Sequence, residues 1–302
     1  MGAAGRGKLD AVSREPRTIT VNGVELAYLE QGGPGPLAVC LHGFPDTART
    51  WRHLLPRLAD AGFRAVAPFN RGYAPSGPDP DGIYQAGALA ADANALHEAL
   101  GGDGDAVVVG HDWGALATYG AAGRAPDRWR RTVTLAVPPT EAMGPSLFTY
   151  EQLRRSWYMY VFQHPLADGL VAMDDLAFLD GLWRDWSPGY DAAEDLRGVK
   201  EALRDPANLA AALGTYRATL GDGPTSAAYA AEQAATGSVP PQPTLYLHGD
   251  QDGCMGVEVA RVAAAALDRP GFRYEEVAGA GHFLHLERPD LVNDLVVGFL
   301  TA

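Results

Sequence analysis

The chain has 302 residues, 47% of them hydrophobic and 20% charged, so it can bury a sizeable core and is not a disordered chain. Its net charge of −13 disfavours nucleic acid and anionic membranes as partners. Two cysteines, Cys40 and Cys254, exclude a disulfide framework, and no stretch reaches the ~18 uninterrupted apolar residues of a membrane helix.

Residues 1–16 carry no apolar leader segment and read as a flexible polar arm, so a soluble cytoplasmic protein is expected. Lysine occurs only at positions 8 and 200, while Ala, Gly and Pro abound, a composition that suggests a GC-rich bacterial gene. Residues 18–21 and 25–29 are short strands joined by Asn22-Gly23, a strong hairpin signal. Strands and helices then alternate. Strands are expected at 37–41, 63–67, 106–109 and 131–137, and helices at 50–61, 84–100 and 115–125. Such alternation implies parallel β-α-β units with helices on both faces of the sheet. The alternation stops near Pro139. Residues 140–239 show helical periodicity and no convincing strand, and the run Pro240-Pro241-Gln242-Pro243 marks a boundary. Beyond it come a strand at 244–248, a helix at 257–267, a strand at 272–277 and a helix at 289–300. The middle third is thus a helical insertion in an α/β core. Twelve of the 27 Phe, Trp and Tyr residues fall within it, which suits either packing on the sheet or an apolar cavity.

Four short motifs carry the chemistry. Gly110-His111-Asp112-Trp113-Gly114 follows the buried strand 106–109 and opens a helix. Glycines two before and two after a central residue allow a tight strand-to-helix turn that lifts that residue out of the sheet edge. Serine is usual there; here it is Asp112. A carboxylate is ionised at neutral pH and attacks sp³ carbon to give an alkyl ester, whereas serine suits acyl transfer. Asp112 therefore argues against an ordinary esterase, and an N-cap is its bland alternative. His42-Gly43-Phe44-Pro45-Asp46 follows the strand 37–41. The amides of Phe44 and Trp113 are placed to hold an oxyanion, while His42 orders the turn and moves no proton. Gly279-Ala280-Gly281-His282 follows the last strand, and His282 can reach Asp112 and activate water. Asp250 and Asp252, in His248-Gly249-Asp250-Gln251-Asp252-Gly253, both qualify on spacing as its acidic partner. A metal held by His282, His285 and Glu287 has no further ligand cluster to support it, and His285 reads as a surface residue.

Together these residues resemble the α/β-hydrolase superfamily, and within it the epoxide hydrolases, over nearly the whole chain. The resemblance implies an α/β fold: an eight-stranded, mostly parallel sheet with a helical cap after the sixth strand. The core would span 17–138 and 241–302, and the cap 139–240. Arg71-Gly72-Tyr73-Ala74-Pro75-Ser76 matches a family loop, with Asn70 before it of little expected consequence. The family's acid stands three residues after a glycine, which selects Asp252. Two cap tyrosines of the family match Tyr158, in its context with Phe162-Gln163, and Tyr216 before Arg217, with Tyr160 as the alternative to Tyr158. They would bind the epoxide oxygen and protonate the departing alkoxide, which needs a weak acid. The resemblance also sets His42, Pro45, Trp157 and Phe162 against the substrate. It implies a small apolar epoxide and water as partners, no metal or organic cofactor, and a homodimer as one possible assembly. The run Gly253-Cys254-Met255 departs from the pattern and would reshape the pocket near the acid.

Two rival readings share the fold. A haloalkane dehalogenase would use the same Asp112, with N–H donors for the halide from Trp113 and from Trp157, Trp183 or Trp186. Phe44 stands where such an enzyme more often has Asn. A non-catalytic receptor would have no need of an intact nucleophile, acid and base.

Overall fold

Eight strands form one sheet in a computed structural model that describes residues 15–267 and 269–302. Residues 1–14 of the expected arm lie outside the described residues. The strands are β1 (Arg17–Val21), β2 (Val24–Gln31), β3 (Leu37–Leu41), β4 (Arg64–Pro68), β5 (Val107–His111), β6 (Arg131–Leu135), β7 (Thr244–Gly249) and β8 (Phe272–Val277). Their spatial order is β1-β2-β4-β3-β5-β6-β7-β8. β1 and β2 form the expected hairpin, with Asn22 and Gly23 at φ 48° and 78°, as a two-residue turn requires. β2 also runs antiparallel to β4, and every later pairing is parallel. β3, β5 and β7 are buried along their whole length, which is why they read as unbroken apolar runs. β8 is an edge strand and mixes Arg, Tyr and Glu into its sequence.

Helices cover both faces. In chain order they are α1 (Leu54–Asp60), α2 (Ala86–Ala99) and α3 (Trp113–Arg124), then α4 (Thr140–Met143), α5 (Tyr150–Arg155) and α6 (Trp157–Val161). These are followed by α7 (Ala167–Trp186), α8 (Ala193–Leu203), α9 (Pro206–Leu220), α10 (Ala230–Ala235), α11 (Val257–Ala266), α12 (Leu284–Glu287) and α13 (Pro289–Thr301). The stretch read as one helix over 50–61 is a 3-10 segment, Ala48–His53, running into α1. One apolar core lies between the sheet and α1 and α13; the other lies under α2 and α3 and continues into the inserted helices.

Between β6 and β7 the described residues hold helices and no strand. α9 starts at Asp205, whose side chain accepts from Ala207 N at 2.8 Å, with Pro206 in the first turn. α7 breaks at Met173–Leu176, where Asp174, Asp175 and Leu176 take positive φ. α10 falls within 139–240 yet packs on α2 and α3, so the last part of that segment lies on the core face and not over the strand ends.

Candidate active site

The loops after β3, β5, β7 and β8 converge at the carboxyl ends of the parallel strands, where open α/β sheets place their ligands. At the turn from β5 into α3, Asp112 takes φ 55° and ψ −120°, a strained backbone that raises its side chain above the sheet. Gly110 and Gly114 make this possible. A Cβ on Gly110 would lie 2.0 Å from the Gly114 carbonyl oxygen, and one on Gly114 would lie 2.2 Å from that of Leu41. Strand and helix could not then approach. Gly110→Ala is expected to cost about 3 kcal/mol of stability, at the upper end for overpacking. An unchanged denaturant midpoint would show that the turn relaxes freely.

Asp112 is held from two sides. Its Oδ1 accepts from Phe44 N at 2.8 Å, and its Oδ2 lies 3.6 Å from His282 Nε2. Gly43 leaves room for this approach, since a Cβ there would lie 2.2 Å from Oδ1. His282 Nδ1 meets Asp252 Oδ2 at 3.0 Å. Asp252 Oδ1 accepts from the amides of Cys254 at 2.7 Å and Met255 at 2.9 Å, so its carboxylate is fully engaged. Asp250 turns away, taking Gly279 N at 2.7 Å. The geometry thus selects Asp252 of the two candidates as the group facing His282.

Burial opposes charge on His282, but the Asp252 carboxylate and then Asp112 outweigh it and raise the imidazole to about 10. Burial would raise Asp252, and His282 overcomes it to hold that carboxyl below its ordinary value. A histidine raised from 6.5 to about 10 on folding adds stability that is fully present below pH 6.5. That contribution is lost as pH rises through about 10. The stability gap between wild type and His282→Gln, read by urea unfolding, should therefore narrow steadily from pH 6.5 to pH 10. A constant gap would mean that the pair is not charged.

Two tyrosines close the site from above. Tyr158 on α6 and Tyr216 on α9 are buried, with ring centroids 5.7 Å apart, and both line a cavity of about 110 Å³ with Asp112 and Trp113. The remaining wall is almost entirely apolar and includes Leu116, Val137, Met143, Leu147 and Met159. Burial first, then neighbouring groups including Asp112, pushes both phenols well above their ordinary value. Both therefore keep their protons at neutral pH and can donate them. The buried indole N–H of Trp113 pulls Tyr216 back slightly but falls short of hydrogen-bond geometry.

The other expected substrate contacts are placed differently. Phe162 is buried behind the tyrosines, edge-on to Tyr158, Tyr216 and Phe44 at 5.1–5.6 Å between centroids. Pro45 presents its carbonyl to Trp183 Nε1 at 2.9 Å, which commits that indole to the contact between α7 and the loop after β3. His42 lies below the cavity floor. Its Nδ1 contacts Gly43 O at 2.8 Å and its Nε2 accepts from Asn70 N at 3.0 Å. Burial lowers it to about 4, so it is neutral and orders the turn. Asn70 matters more than expected, since its side chain also clamps His42 O at 2.7 Å. Trp157 does not face the cavity. It is 45% exposed on an outer groove with Glu151, Arg154 and Asp185, because α6 turns it away from Tyr158, one residue on. Tyr160 is 53% exposed on the outer side of α6, which leaves Tyr158 as the inward tyrosine.

His285 is buried, against expectation. It stacks on Trp51 at 4.8 Å and its Nε2 meets Thr50 Oγ1 at 2.5 Å. Glu287 takes Gly281 N at 2.9 Å and Ser187 Oγ at 2.7 Å, so it props the His282 loop against the end of α7. His285 and Glu287 thus have other partners and do not converge with His282 on one point. Arg71 of the family-like loop is a buried anchor, paired to Asp92 at 2.6 Å and Asp79 at 2.7 Å.

Several contributors carry no mark in the sequence. Trp186 O accepts both His282 N and Gly253 N at 3.0 Å, joining the loops that carry His282 and Asp252. Gln152 on α5 donates to Cys254 O and accepts from Gly256 N, both at 2.9 Å, while Arg155 donates to Asp252 O at 2.7 Å. These are side chains of a short helix, and nothing in their spacing tells which loop they will meet. The Cys254 run is at least visible as a departure from pattern.

Known proteins resemble this chain along nearly its whole length. The pattern of the alpha/beta hydrolase fold family matches residues 36–289. Epoxide hydrolase A of Mycobacterium tuberculosis is 30% identical, over 95% of this chain and 97% of its own. An epoxide hydrolase of Caballeronia sordidicola is 31% identical, over 93% of this chain and 92% of its own. Among solved structures, the epoxide hydrolase from an endophytic Streptomyces superposes with a TM-score of 0.78 at 28% identity, covering 96% of each chain.

Proposed function

Since the chain belongs to the epoxide hydrolases of the α/β-hydrolase fold family, we propose that it opens a small apolar epoxide to the vicinal diol through an ester on Asp112. The observation that carries this reading is the cavity itself. The Asp112 carboxylate lies at its floor, and two protonated phenols lie in its wall. In this reading the helices between β6 and β7, apart from α10, act as the cap.

In the first step Asp112 Oδ2 attacks an epoxide carbon, because Oδ1 is held by the Phe44 amide. Tyr158 and Tyr216 bind the ring oxygen and one proton passes to it as the carbon–oxygen bond breaks. In the second step His282, oriented by Asp252, takes a proton from water as the water oxygen adds to the ester carbonyl carbon. The developing oxyanion is then Oδ1, already at Phe44 N, and the amide of Trp113, the residue after Asp112, is its second donor in this reading. The acyl carbon–Oδ2 bond then breaks, the departing diol oxygen takes the proton from His282, and the regenerated Asp112 carboxyl gives up the remaining water proton. Ester formation also removes the charge on Asp112. One of the two anions that raise His282 is lost at that moment, so the imidazolium can release its proton to solvent and the neutral imidazole can act as a base.

A halide-releasing reading has one observation in its favour. Trp113 lines the cavity, and its Nε1 is buried with no hydrogen-bond partner among the described residues. Of the indoles that could supply the second donor, Trp183 is committed to Pro45 and Trp157 faces outward, which leaves Trp186, packed against Tyr158 and His282 with ring centroids 4.9 and 5.1 Å away. The deciding experiment presents purified protein with terminal and internal epoxides and with short haloalkanes, quantifying diol and free halide together. Diol without halide is expected. Halide without diol would transfer the assignment to a dehalogenase.

A further inference from the structure

We infer that Cys254 is a positioning residue for the acid step, its thiol holding the Tyr158 hydroxyl so that the phenol proton faces the cavity. This role presupposes that the protein opens epoxides. Cys254 Sγ lies 3.3 Å from Tyr158 Oη, a normal distance for a sulfur–oxygen hydrogen bond. Both groups can donate and both can accept. If the phenol donates to sulfur, its proton is spent and cannot reach an epoxide oxygen. If the thiol donates, the phenolic oxygen is satisfied as an acceptor and its own proton is left for the substrate. Only the second arrangement serves the reaction.

The backbone that carries the sulfur is fixed from both sides of the site. Cys254 N donates to Asp252 Oδ1 at 2.7 Å, and Cys254 O accepts from Gln152 Nε2 at 2.9 Å. Asp252 is the acid partner of His282, and Gln152 sits on α5, the helix before that of Tyr158. The thiol also lines the same cavity as Asp112 and the unpartnered indole of Trp113, so it stands where a substrate must lie. Burial keeps the thiol protonated, well above its ordinary value, which preserves the donor.

As the Asp112 oxygen forms its bond to carbon, the epoxide carbon–oxygen bond breaks and the Tyr158 O–H proton moves to the departing oxygen. Negative charge then rests on the Tyr158 oxygen. The proton released by water in the second step restores the phenol.

The test is a comparison of Cys254→Val, which keeps the volume, with Cys254→Ser, which keeps the donor, in single-turnover experiments on an epoxide the wild type converts. Cys254→Val should slow ester formation about 10-fold, the worth of one hydrogen bond, and leave ester hydrolysis unchanged. Cys254→Ser should recover to within about 3-fold of wild type on the same argument. In a Tyr158→Phe background the Cys254→Val change should have no further effect, because its target is gone. Equal slowing of both steps, or full additivity with Tyr158→Phe, would reduce Cys254 to a packing residue and overturn the inference. So would wild-type ester formation in Cys254→Val. A Cys254→Val protein that fails to fold leaves the Cys254→Ser and Cys254→Ala pair to decide, serine matching wild type and alanine slowed in ester formation alone. Absence of diol from the wild type would instead bring down the epoxide reading, and the inference with it.

Discussion

His282→Gln protein mixed with an epoxide should gain the mass of one substrate molecule and keep it. In the proposed reaction ester formation needs Asp112 and a proton donor, and the substitution changes neither. Hydrolysis needs a base beside the ester. Among the described residues the imidazole facing Asp112 Oδ2 is that of His282, at 3.6 Å, and its other nitrogen is tied to Asp252 at 3.0 Å. His111 and His42 do not substitute. Burial lowers His111 to about 3 and His42 to about 4, and His111 is already bound through Nε2 to His282 O at 2.9 Å. Glutamine fills similar space and accepts no proton, so deacylation should fall by about 10³-fold, within the range for general base catalysis. Intact-protein mass spectrometry reads the trapped ester, and peptide mapping places it on Asp112. Rapid diol turnover by this variant with no mass gain would sink both the ester and the base assignment.

Much of this site is legible in the sequence alone, and the reason is steric. Gly110 and Gly114 must be glycine for β5 and α3 to meet, and that necessity is written as a short local motif around Asp112. The loops after β3, β7 and β8 are local in the same sense, each opening directly from a strand of the sheet. What is not legible depends on contacts far apart in the chain. His285 carries no local mark of burial, because Thr50 and Trp51 that enclose it lie more than two hundred residues away. Trp157 and Tyr158 are adjacent, and helical periodicity alone does not say which faces inward. α10 has the composition of the inserted helices around it but packs on α2 and α3. The choice between Asp250 and Asp252 turns on two amides, Cys254 and Met255, that gather around one carboxylate and not the other.

The largest effect should come from removing both phenols. Tyr158→Phe or Tyr216→Phe alone should slow epoxide opening about 10²-fold, because in the proposed reaction the remaining tyrosine would still bind and protonate the oxygen. The double variant leaves a strongly basic alkoxide to depart without a proton donor in an apolar cavity. If the two act independently the loss should reach about 10⁴-fold. The substitutions remove one oxygen each and keep the ring, so packing against Phe162, Phe44 and Trp113 should survive. Thermal unfolding checks this directly. The same variant also separates the two leaving-group chemistries. A halide departs without a proton, so any haloalkane turnover by this protein should persist when both hydroxyls are gone. Diol formation that survived the double change would mean that the acid is elsewhere, and the phenols would then be packing residues in the wall above Asp112.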